Sequence, residues 1–303
     1  MPLGLSSIKL TGGEPLLHPD FIQIVNFIRE RNLSLGIETN GVLLTRDLAL
    51  YLKNNSSLKH ISVSVDSSDA EKHDRFRGVK GSFEKAVNAV QYLSEMGYHP
   101  QVIMSVHSGN IDEIESLVFL AKDIGAASVK FNIIQPTGRG ELLLKRDGEI
   151  ALADIIEKGQ WIESDLQKRS SIPLYYSWPM AFYSLKRLTA GNNGTCAIHN
   201  ILGILPSGEL SMCGIGTHIP DLCYGKIGDV KIADVWTSHS VIKKMRQTLP
   251  AELDGVCSRC LLKERCLGNC VAENYYLSGR LNASYWFCQD ALEQGLFPLS
   301  RLD

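Results

Sequence analysis

The first half of the chain alternates between two hydrophobic periods. Short apolar runs of strand character recur at 7–10, 33–38, 60–65, 100–106 and 127–134. Between them the apolar residues fall at helical spacing. Phe21, Ile24, Val25, Phe27 and Ile28 mark one helix over 21–31, and the same logic predicts helices over 48–53, 83–96, 111–124 and 149–166. The punctuation agrees: Thr45 is placed as an N-cap, and Gly97 and Gly125 stand where two helices should stop. Five strand–helix repeats in succession predict an α/β fold with a parallel sheet and helical crossovers. A doubly wound sheet and a (β/α) barrel both satisfy the pattern. No Gly-x-Gly-x-x-Gly follows the first strand, which counts against dinucleotide binding. In either architecture, functional residues belong at the C-terminal ends of strands.

After about residue 167 the pattern changes. Trp178, Phe182 and Tyr183 are followed by a turn predicted at Asn192-Asn193-Gly194, and the remainder is rich in turns and cysteine. The expected division is 1–168 as the α/β part, 169–195 as linker and 196–303 as a small domain held by metal more than by a core.

Composition sets outer limits. The 303 residues are 44% hydrophobic and 21% charged with a net charge of −2, which excludes low-complexity disorder and argues against a partner bound by phosphate neutralisation, so no nucleic acid is expected. No apolar run approaches the ~20 residues of a membrane span, and the N-terminus does not read as a signal peptide. The chain is expected to be cytoplasmic, away from membranes.

All eight cysteines lie between Cys196 and Cys288. The run Cys257-x2-Cys260-x5-Cys266-x3-Cys270 has Cys196, Cys213 and Cys223 before it and Cys288 after it. A Cys-x2-Cys pair puts two thiolates on one turn, and a cubane cluster needs four thiolates, often completed by a distant cysteine. Iron–sulfur clusters, a zinc knuckle and disulfides all remain open on spacing alone, in that order.

These residues resemble a known family. Cys196…Gly208-x4-Cys213…Cys257-x2-Cys260-x5-Cys266-x3-Cys270…Cys288 resembles the seven-cysteine SPASM signature found in many radical S-adenosylmethionine (SAM) enzymes. Thr11-Gly12-Gly13-Glu14-Pro15 resembles the GGE motif of the radical SAM barrel, and Asn40-Gly41, Ser64-Val65-Asp66 and His73-Asp74-x2-Arg77 follow in the family's order. The resemblance implies a partial TIM-like barrel lacking its first βα unit, plus a cysteine-rich iron–sulfur domain. It implies that Gly12, Gly13 and Glu14 meet the SAM methionyl group, and that Ser64, Asp66 and Arg77 face its carboxylate or ribose. It implies two auxiliary [4Fe–4S] clusters, one on Cys196, Cys213 and Cys270 and one on Cys257, Cys260, Cys266 and Cys288. Cys223 stands as either a further ligand or a small buried residue.

The family holds its SAM-cleaving cluster on Cys-x3-Cys-x2-Cys upstream of GGE, and no cysteine precedes Gly12 here. A gene start further upstream is therefore expected over a degenerate or split protein that keeps the auxiliary clusters alone; the SAM-cleaving cluster is present only if such a segment exists, and the chain as given is expected to be inactive by itself. The function implied is a radical SAM/SPASM oxidoreductase or maturase acting on a peptide or protein, supplied with electrons by a reductant such as ferredoxin or flavodoxin. The segments 285–288 and 295–301 resemble the SynChlorMet-cassette peptide maturases. Two other functions remain: a non-catalytic iron–sulfur carrier or peptide-binding partner, and a zinc-binding structural protein. No general acid or base stands out; His18, Asp20, His107 and Asp112 are candidates that also suit caps or loops.

Overall fold

A computed structural model describes residues 3–191 and 196–303; the turn predicted at Asn192-Asn193-Gly194 lies outside them. The chain divides into two compact units, one of residues up to Ile134 with Lys158–Ser177, the other of Gln135–Glu157 with Trp178–Asp303.

The first unit is built on six parallel strands in sequence order: β1 Ser7–Leu10, β2 Ser34–Thr39, β3 Leu58–Ser64, β4 Gln101–Val106, β5 Ser128–Ile133 and β6 Leu174–Ser177. The helices between them are α1 Phe21–Glu30, α2 Arg46–Asn55, α3 Ala70–Arg77, α4 Ser82–Glu95 and α5 Ile114–Asp123. The five strands expected from hydrophobic runs are all present, with ends shifted by one or two residues. Thr45 caps α2, accepting from Leu48 N at 3.2 Å. Three elements escaped the pattern. β6 falls in the stretch expected as a linker and pairs with β5 through Val129↔Leu174 and Asn132↔Ser177. α3 buries only His73, so it has no apolar stripe to read. A charged helix, α6 Arg139–Asp147, buries nothing at all and belongs to the second unit. The long helix expected at 149–166 is α7 Leu152–Trp161, continued by one π turn over Ile162–Leu166.

Neighbouring strands joined in order by right-handed crossovers place their helices on one side of the sheet. Burial follows that rule. On one face Leu35, Ile37, Val63, Val102, Met104, Val129 and Phe131 are all at most 1% exposed. The alternate positions are mostly polar: Lys9, Glu38, Ser62, Ser64, Gln101, Ser105, Lys130 and Asn132 share the other face by register, with Ile103 among them. Parallel order also brings every strand's C-terminal end to the same edge.

The second unit has little regular structure. A three-stranded antiparallel sheet, β7 Gly203–Ile204, β8 Glu209–Ser211 and β9 Cys223–Lys226, is followed by short helices. Its core is aromatic: Phe182 packs edge-on against Phe287 and Phe297, with ring centroids 5.3 and 5.7 Å apart. Among the described residues no helix is long and apolar enough to cross a membrane.

Gly41, after β2, tests the tightness of the strand–helix packing. Its φ is +77°, and a Cβ there would lie 2.9 Å from Val63 Cγ1 and 3.1 Å from Ala86 Cα. Left-handed strain and overpacking add, so Gly41→Ala is expected to destabilise the protein by about 2–4 kcal/mol in chemical denaturation.

Candidate functional site

Thr11, Gly12, Gly13 and Glu14 follow directly on β1, at the edge where the strands end. Glu14 holds this loop in place. Its Oε1 accepts from Thr39 Oγ1 at 2.7 Å and from Leu16 N at 3.1 Å, and its Oε2 accepts from Asn40 N at 2.7 Å. One carboxylate thus caps the short 3-10 helix Pro15–Leu17 and ties the end of β1 to the end of β2. The glycines stand free: a Cβ built on Gly12 or Gly13 meets nothing within 4 Å. Gly12 also has φ +112°, a conformation that favours glycine. Here the backbone is open to close approach by a ligand.

Ser64 closes β3, and Asp66, two residues on, is 1% exposed. Asp66 accepts from Ser105 N at 2.9 Å through Oδ1 and from Arg77 Nε at 2.5 Å through Oδ2. Its own N–H donates to His73 Nδ1 at 3.1 Å, and Asn110 Nδ2 donates to its carbonyl at 2.9 Å. Asp66 therefore joins β3, α3 and the loop after β4, and Arg77 reaches this edge as its ion partner. Burial holds the His73 imidazole below its usual pKa, with Asp66 opposing. Of the residues considered for acid–base work, His18 accepts from Asp20 N and His107 stacks on Phe76 at 4.7 Å, both loop-organising roles.

In the second unit, Cys257, Cys260, Cys266 and Cys288 line one small pocket, its wall completed by apolar residues that include Leu253, Val256 and Phe297. Cys196, Cys213 and Cys270 form a second set, each pair close enough to influence the other's ionisation. Among the described residues no three acidic, histidine or cysteine side chains close on a single point; the four thiols surround a space. All are free. Burial raises the Cys257 and Cys270 thiols to about 12 and Cys266 to about 11. Backbone N–H groups work against that burial. Cys257 faces the N–H of Tyr285, Cys270 that of Glu273, and Cys213 those of Ile215 and Gly216. Leu267, Gly268 and Asn269 all have left-handed φ, at 55°, 75° and 60°, and this run turns the N–H groups of Gly268 and Asn269 toward Cys266. Such donors stabilise thiolates once iron displaces the protons. Four thiols around an apolar cavity, with amides aimed at sulfur, fit an iron–sulfur cluster. Cys223 donates to Gly216 O and Ile219 O at 3.6 and 3.9 Å.

One polar group here had no sequence signal. Glu273 is 0% exposed. Its Oε1 accepts from Trp286 Nε1 at 2.7 Å, and its Oε2 has no partner among the described residues. The first four residues of its helix, Val271–Ser278, are all buried, so no periodicity marks it.

Residues 2–121 match the family described as the radical SAM superfamily. These residues, about two fifths of the chain, are similar to that superfamily. Its relatives extend over nearly the whole length. It is 28% identical to the AdoMet-dependent heme synthase of Methanosarcina barkeri over 299 residues, covering 91% of this chain and 80% of that protein. It is 25% identical to the PqqA peptide cyclase of Gluconobacter oxydans, covering 91% of this chain and 75% of that protein. These radical SAM relatives are enzymes. Among solved structures, the fold is similar to Streptococcus suis SuiB bound to precursor peptide SuiA, with a TM-score of 0.72 at 16% identity over 93% of this chain. The chain spans 65% of that SuiB chain.

Burial pushes the Glu273 carboxyl up to about 7. Its folded-state value lies above its unfolded one, so folding favours the protonated form. That stabilisation is complete below about pH 4 and is lost as pH rises through about 7. In the metal-free protein, Glu273→Gln is expected to raise stability by about 3 kcal/mol at about pH 8, with the gain vanishing near about pH 4. Urea unfolding at the two pH values measures it.

Proposed function

We propose that this protein is a radical SAM maturase that modifies a peptide or protein, with two auxiliary [4Fe–4S] clusters in its cysteine-rich unit. The observation that carries the reading is the four-cysteine cavity in a chain whose other unit is a radical SAM domain. Relatives described as PqqA peptide cyclase and as mycofactocin maturase support a peptide substrate. Similarity to AdoMet-dependent heme synthases favours one alternative, a tetrapyrrole substrate.

SAM, with a reduced iron–sulfur cluster, supplies a radical able to take hydrogen from an unactivated carbon, and the auxiliary clusters supply sites for the electron that remains. The chain's own residues bind, orient and exclude water. Gly12 and Gly13 admit the methionyl group against bare backbone. Glu14, anchored by Thr39 and Asn40, offers its carboxylate to the SAM ammonium. Ser64 addresses the carboxylate or ribose, and Asp66 positions Arg77 beside them. Cys257, Cys260, Cys266 and Cys288 would hold one auxiliary cluster in its apolar cavity. Cys196, Cys213 and Cys270 would hold the other, with one iron left for another ligand.

Two experiments test this. Cys288→Ala and Cys270→Ala, each reconstituted anaerobically, are expected to lose about four irons per chain and one of two electron paramagnetic resonance signals. Iron content unchanged by both substitutions would refute the cluster assignment. Gly13→Ala adds a methyl group into open space, so its melting temperature should stay within about 2 °C of the unsubstituted protein. Its affinity for SAM, measured by calorimetry, should fall at least about tenfold; unchanged affinity would remove SAM from this loop.

A further inference from the structure

The polar face of the six-stranded sheet is arranged in rungs. Glu38, Ser62, Gln101 and Ser128 stand level across β2 to β5. In that rung Gln101 Nε2 donates to Ser128 Oγ at 3.0 Å, and Ser62 Oγ donates to Gln101 Oε1 at 3.5 Å. Two rungs nearer the strand ends, Ser105, Asn132 and Ser177 stand level, and Ser177 Oγ donates to Asn132 Oδ1 at 3.1 Å. These polar side chains satisfy one another across the strands.

The rung between them holds Ser64, Ile103, Lys130 and Tyr175. Lys130 differs from the other charged residues of this face. Lys9 pairs with Glu38 at 2.5 Å, and Thr11 Oγ1 donates to Glu38 Oε2 at 3.0 Å. Glu38 is thus the acid of Lys9. No described residue hydrogen-bonds or ion-pairs with the ammonium of Lys130. Burial lowers its pKa, with Glu38 opposing and Lys9 reinforcing the shift. Lys130 is thus left without a counter-charge, on a half-buried side chain in mid-strand. A buried charge is costly unless paired. A lone ammonium, with no arginine fork or amide nest beside it, matches a single carboxylate.

Position adds the second argument. Lys130 is level with Ser64 and lies on the face opposite Val129 and Phe131. Its ammonium feels the charges of Glu38 and Lys9, and Thr11, at the start of the Thr11–Glu14 loop, donates to Glu38. A group held there would lie beside the SAM loop without displacing it.

We infer that Lys130 receives a carboxylate of the substrate, in a subsite on the polar face of the sheet. The inference rests on the radical SAM reading for what the neighbouring loop does. The carboxylate has two sources consistent with the relatives: an acidic residue of a peptide, or an acid side arm of a tetrapyrrole. Either leaves the ammonium paired.

The test is acylation of Lys130 by an amine-reactive ester, read by mass spectrometry on the folded protein with SAM present. One arm compares a blocked Gly-Glu-Gly peptide with its Gly-Gln-Gly counterpart. The other compares haemin with its dimethyl ester. Protection of Lys130 at least about threefold greater with the acid than with its neutral partner is expected in one arm. The arm that shows it identifies the source. Lys130→Met should abolish that discrimination in ligand affinity while keeping SAM affinity unchanged. Its melting temperature should be equal or higher, because the unpaired charge is gone and the stem remains. SAM binding with no protection by either acid overturns the subsite. A large loss of SAM affinity in Lys130→Met also overturns it, since the carboxylate would then be the cofactor's own. Protection by an acid in a protein that binds no SAM refutes the radical SAM reading and leaves the carboxylate subsite standing.

Discussion

Six parallel strands joined in sequence order have one unavoidable geometric result: all of them finish at the same edge. Helical crossovers of one hand then cover one face and leave the other to polar residues. Everything assigned to chemistry in the first unit follows from that constraint. Thr11–Glu14 follows β1, Asn40 follows β2, and Asp66 follows β3, so residues far apart in sequence become neighbours without any special contact. What remains is fixing them. Glu14 does so between two strand ends, and Asp66 between β3, α3 and the loop after β4. Both carboxylates hold architecture, keeping glycine backbone and an arginine at the edge, and Glu14 Oε2, with one described donor, keeps acceptor capacity.

The second unit rests on a different balance. Its thiols are protonated by burial, so the metal-free cavity is neutral and held by aromatic packing and backbone hydrogen bonds. A metal bound there would have to displace those protons, and the amides facing Cys266, Cys270 and Cys257 would lower the cost. Protein structure and metal affinity are therefore linked through the same groups. Glu273 adds a second buried acid beside this region, and it is tolerated because Trp286 supplies one strong donor.

The strands and helices visible in the sequence were those whose hydrophobic period is long enough to see. β6, at four residues beside a run of aromatics, has too few alternations. α6 has only charges to show, because nothing covers it. The cysteine spacing left iron–sulfur clusters, zinc and disulfides open, and the division of the thiols into two sets came from resemblance, since spacing alone permits several groupings. Structure brings the same sets together for a reason no spacing contains: the turn at Leu267–Asn269 sends Cys266 and Cys270 in different directions. Lys130 and Glu273 were illegible for a common reason. Each is an ordinary charged residue until the fold removes its water.

The cavity around Cys257, Cys260, Cys266 and Cys288 is closed by residues far along the chain. Phe297 forms part of its wall, and Arg301 reaches back to the carbonyls of Ala181 and Tyr183 at 3.2 and 3.1 Å. Leu261 N–H, next to Cys260, donates to the Arg301 carbonyl at 2.9 Å. The residues that shut the pocket thus all follow its four thiols in the chain, so trimming from the C-terminal side would open the pocket before it removed a single thiol.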